Sequence, residues 1–158
     1  MECKNQTLFV EPNLTWEERI ARGHYEGGYS RYLAMEGFTS ANIEDQFGEW
    51  EWKLFDFSKS VVVVRDAIPL INKTKFYSAP LAQILAFGEK YPHIQTRVNI
   101  YGLGTVAPVG LAYAVPVLGT ISPGDRGLLM GALGDKCSGK FGPTRFLGIR
   151  RPAGYTPV

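Results

Sequence analysis

Two stretches of the chain alternate hydrophobic and polar residues with a period of two. In Glu49–Phe57, Trp50, Trp52 and Leu54 fall on one side and Glu49, Glu51 and Lys53 on the other, as in a half-buried strand. Asp56 breaks the phase, so a bulge or the strand's end is expected there. His93–Tyr101 alternates too, with Ile94, Thr96, Val98 and Ile100 against Gln95, Arg97, Asn99 and Tyr101. Val61–Val64 is a continuous β-branched run suited to a strand buried on both faces. With Ser58-Lys59-Ser60 as the loop, it predicts a hairpin over 49–66. Leu8–Val10, Val109–Leu118 and Thr144–Arg150 read as further strands. Pro116 cannot donate to a ladder, which predicts an edge or a bulge at that point.

Helical signals are fewer. Thr15 stands three residues before Glu18 and ahead of Trp16 and Ile20, a capping box closed by Gly23. Ser78-Ala79-Pro80 predicts a helix with Ser78 as its cap, a stripe of Leu81, Ile84, Leu85 and Gly88, and a stop at Pro92. Ser122-Pro123-Gly124-Asp125 predicts another helix over Arg126–Leu133, with Gly127 and Gly131 on one smooth face. Gly27-Gly28 reads as a turn. Short helical turns are expected from Tyr29, Tyr32 and Leu33 and over Asn42–Gln46.

These elements show no regular βαβ alternation. The predicted fold is a single α+β domain over 1–158, frayed near 1–6 and 152–158. It has a mainly antiparallel sheet of about five or six strands with two to three helices packed on it.

Charge changes the picture. The net is +2, but residues 1–57 carry 11 acidic and 5 basic side chains, and residues 58–158 carry 4 and 12. The halves are therefore −6 and +8. They either interdigitate within the fold or form opposite faces that meet between copies. From Val98 to Gly124 there is no charge at all. The length would suit a membrane span, but Gly102, Gly104, Pro108, Gly110, Pro116 and Gly119 interrupt it, so buried strands and no membrane are expected. The polar start has no apolar core of a secretory signal, and a cytoplasmic location is expected. Cys3 and Cys137 read as reduced thiols, and His24 and His93 stand at no ligand spacing, so neither metal nor cofactor is expected.

The candidate chemistry is thin. Gly102-Leu103-Gly104-Thr105-Val106-Ala107 matches a dinucleotide-loop pattern after a strand, but no room follows for the helix that would hold a pyrophosphate. Gly134–Phe141 matches a phosphate loop up to Lys140, where Phe141 replaces the required hydroxyl. Glu49 and Glu51 are the candidate general bases of an enzyme. Trp50, Trp52, Tyr29 and Tyr32 with Glu51 compose an aromatic and acidic set suited to an organic cation. Lys136, Lys140, Arg145, Arg150 and Arg151 form a basic stretch for phosphates. A pI of about 8.5 and the lack of a groove-reading element count against nucleic acid. The leading expectation is a non-enzymatic binding or assembly protein that self-associates through complementary charge and the glycine-smooth surface. The small-molecule binder, the Glu-based enzyme and the nucleic-acid binder are its rivals.

Overall fold

Trp50, Trp52 and Leu54 turn toward one helix, and the alternation that predicts this holds until Phe55, where the strand ends. The computed structural model describes residues 6–28, 43–137 and 143–155. Its strands are β1 (Thr7–Val10), β2 (Gly27–Gly28), β3 (Gly48–Phe55), β4 (Tyr77–Ser78), β5 (Asn99–Tyr101), β6 (Ala107–Val109), β7 (Ala112–Ser122), β8 (Asp125–Ala132) and β9 (Thr144–Arg150). Its α-helices are α1 (Trp16–Ala21), α2 (Ala67–Asn72) and α3 (Leu81–Lys90).

The nine strands form one sheet in the order β1-β3-β9-β5-β7-β8-β2, with β4 also on β9 and β6 also on β7. The fold is mixed α and β as expected, but the sheet is larger than predicted and mixed in direction. The pairs β5–β9 and β8–β2 are parallel and the rest antiparallel. Arg126–Leu133, predicted helical, lies largely in β8. Pro123-Gly124 is a hairpin turn instead of a helix start, with Gly124 at φ 85°. Two glycines also weaken any helix there by roughly 1 kcal/mol each. A spacing of four suits a strand as well as a helix, and the smooth helical face predicted for Gly127 and Gly131 does not form. Gly27-Gly28, read as a turn, is β2.

Val61–Val64 is not a strand. β9 pairs with β3 over Glu51–Phe55, so one side of the expected hairpin is taken by a strand from the end of the chain, and the valine run turns away from β3 instead. The run closes a turn on Phe57, bridges Lys136 through Val63 and enters a 3-10 turn at Val64–Asp66. His93–Tyr101 is extended only over β5, because Ile94–Thr96 is another 3-10 turn.

Pro116 lies inside β7, a strand with neighbours on both sides. Its carbonyl accepts the Gly102 N–H at 3.0 Å, so its nitrogen faces that same side, where the strands beside β7 change from β6 to β5. The absent N–H falls in that gap. The same change occurs on β9, whose edge carries β5 and then β4. The sheet forks there, and Gly102–Val106 fills the fork. Gly104 donates to the Ala79 carbonyl, and a Cβ on it would run into the Ser78–Pro80 backbone. The glycine pattern serves this close approach, and no helix follows it.

α3 packs on one face of the sheet. Ile84, Leu85 and Phe87 lie fully buried against Leu8, Leu118 and Leu147. Such side chains contribute roughly 1.5–3 kcal/mol each. α2 and the preceding turns cover part of the other face, where Val64, Ala67 and Ile71 meet Phe55, Val115 and Phe146. The predicted caps divide. Thr15 accepts the Glu18 N–H at 3.1 Å as expected. Ser78 does not cap α3. Thr105 accepts the Leu81 N–H at 2.8 Å and Gln46 the Ala82 N–H at 3.3 Å, both from distant segments. At the other end the Arg126 guanidinium donates to the carbonyls of Gly88 (2.8 Å) and Gly23 (2.6 Å), placing a cation where helix dipoles favour one.

Candidate functional site

The acidic and basic halves of the chain interdigitate. β3, from the acidic half, lies against β9, from the basic half, and Arg150 pairs with Glu51 at 2.6 Å. Arg145 reaches Asp56 at 3.4 Å. The charge split is therefore complementarity within the fold.

The predicted sites are taken apart by the same geometry. Trp50 and Trp52 face α3, while Glu51 points to the opposite face of β3 and is engaged by Arg150. Trp52 packs edge-on to Phe87 and Tyr91, its indole N–H directed at the Tyr91 hydroxyl at 3.3 Å. Trp50 does meet a cation, from its own chain. The Arg151 guanidinium lies 3.6 Å from the Trp50 ring centre and 4.1 Å from that of Tyr155. It also donates to the carbonyls of Glu49 and Asp45 at 3.2 Å. Glu49 itself is exposed. Of the basic stretch, Arg145, Arg150 and Arg151 are spent on these internal contacts, and Lys136 is exposed. Tyr29, Tyr32 and Lys140 lie outside the described residues, as does the end of the phosphate-loop pattern.

A different place in the molecule carries the shape of a site. The α2 layer covers the face of β7 and β8 near Val115, but the next positions along that face, Val117 and Leu129, lie in a groove of about 250 Å³. Asn99 and Tyr101 from β5 form one side, and Met130, Gly131 and Asp135 form the other. The Tyr101 ring lies over Gly131, where a Cβ would stand 2.7 Å from it, so the groove's shape depends on that glycine. The Tyr101 hydroxyl donates to Asp135 Oδ2 at 3.1 Å, and the Ala132 N–H donates to the same oxygen at 2.9 Å. Among the described residues, none donates a hydrogen bond to Asp135 Oδ1. Burial, and then the neighbouring Asp135 charge, push the Tyr101 hydroxyl well above the usual tyrosine range. Tyr101 therefore remains a neutral donor.

Nearby Cys137 is buried, and its thiol is pushed up by burial and by Asp66 and Asp135, so it is not an activated nucleophile. A shallower depression beside β1 and α3 carries Glu11 and Glu89, but both carboxylates lie within 4 Å of Arg22. Among the described residues no three metal-ligating side chains converge, and no helix is long and apolar enough to cross a membrane. No known protein family, curated protein or solved structure matches the chain.

Tyr101 and Asp135 are not among the site residues expected from the sequence. The only local signal was that Asp135 is one of four acids in the basic half. Its meeting with a residue 34 positions away is a product of the sheet.

Proposed function

We propose that this protein is a non-enzymatic binder that holds a small, largely apolar organic molecule in the groove between Tyr101 and Asp135. One observation carries the reading. An apolar stretch of sheet, left open by the layer that covers its neighbour, ends at an anchored carboxylate with one free oxygen. Apolar walls with a few convergent polar groups are the common form of small-ligand sites. Methyl-resolved NMR titration with a fragment library tests it. Saturable shifts at Val117 and Leu129 support the reading. Fragments that perturb other methyls alone, or none, remove it.

Self-association is a second reading, and one observation favours it. The β6–β7 hairpin presents Leu111 wholly exposed and Tyr113 63 % exposed, within the stretch that carries no charge. Exposed apolar tips without charged guards mark contact surfaces. Light scattering should give a dimer or larger for the wild type and a monomer for Leu111→Asp. A monomer for both would eliminate this reading.

A further inference from the structure

We propose that the groove selects organic ammonium ions: a small amine whose charged nitrogen meets Asp135 Oδ1 while its hydrocarbon lies on Val117 and Leu129. The inference rests on the groove reading and adds the class of ligand.

Charge is the first argument. Glu51, Asp56, Glu11 and Glu89 each have an arginine within 4 Å. Asp135, in an apolar groove, has none among the described residues. Arg65 and Lys136 flank this corner of the chain, yet both are exposed and neither forms an ion pair with Asp135. Asp66 adds a second negative charge nearby, and both acids act on Cys137. A cation entering the groove therefore meets unneutralised negative charge beside low-dielectric walls, where its attraction is stronger than in water.

Geometry is the second. The Ala132 N–H and the Tyr101 hydroxyl hold Oδ2, so the carboxylate is fixed before any ligand arrives, and the other oxygen stays open to an N⁺–H donor. Size is the third. A volume of about 250 Å³ lies just below the range usual for drug-sized ligands, which limits the hydrocarbon to one ring or a short chain.

Three near-isosteric probes decide the matter: cyclohexylmethylamine, cyclohexylmethanol and cyclohexanecarboxylate, titrated calorimetrically into the wild type and Asp135→Asn. The amine should bind about tenfold or more tighter than the alcohol, and the carboxylate weaker than either. Asp135→Asn should erase the amine's advantage and leave the alcohol's affinity unchanged. Equal binding of amine and alcohol overturns the ammonium selectivity while the groove reading stands. So does an advantage that survives in Asp135→Asn, or a preference for the carboxylate. Binding of none of the three overturns both. The wild-type comparison decides even if the variant fails to fold.

Discussion

Gln83 is fully buried in α3, and among the described residues neither polar atom of its amide has a hydrogen-bond partner. A buried amide without partners costs about 1–3 kcal/mol. Gln83→Met keeps the length of the side chain and removes the polar atoms, so it should raise stability by about 1 kcal/mol in urea denaturation. A loss of that size instead would mean that the amide is satisfied in solution. Arg151 shows the opposite case, a cation that meets the rings of Trp50 and Tyr155 and donates to two carbonyls. At this scale the sequence was half legible. The aromatic and acidic residues around Trp50 suggested an organic cation as ligand, and residue types alone do not reveal that the cation lying on Trp50 is an arginine about a hundred positions away.

Element by element, legibility followed how local the cause was. β3, β9 and α1 were read nearly to their ends, because alternation and a capping box are written within a few residues. β8 was misread because its glycine spacing fits either period and only its pairing with β7 decides. α3 was placed, but its cap was not, since Thr105 comes from the loop that fills the fork in the sheet. Thr105→Val should therefore cost about 1–2 kcal/mol, the usual value of a lost helix cap. Ser78→Ala should cost much less, because the Ser78 hydroxyl has no partner among the described residues. Thermal unfolding of the two variants compares them directly, and the reverse ranking would restore Ser78 as the cap.

For the whole molecule, the opposing charges of the two halves are joined mainly across β3 and β9. Glu51 keeps 9 % of its side chain exposed and Arg150 31 %, so their pair is only partly screened by water. Removing one partner of a fully buried pair costs about 3–5 kcal/mol, and for this pair a loss of about 2 kcal/mol is expected for Arg150→Ala. A double-mutant cycle with Glu51→Gln should show coupling, and strictly additive losses would refute the pairing. The groove belongs to this scale also. β5 and β8 and the turn after β8 are brought together by strand order, which neither periodicity nor composition encodes. That is why the fold class was legible and the site was not.

The central position of β9 has a consequence for the order in which the protein is made. β1 and β3 on one side, and β5, β7 and β8 on the other, are joined through β9, and it is the last of the described strands to be synthesised. A ribosome delivers the two halves of the sheet before the strand that unites them. Until Thr144–Arg150 has emerged, the growing chain carries two part-sheets with unpaired inner edges, the condition in which chains mispair with neighbours. The nascent protein is therefore most exposed to aggregation, and most in need of a chaperone, in the interval between the synthesis of β8 and the emergence of β9.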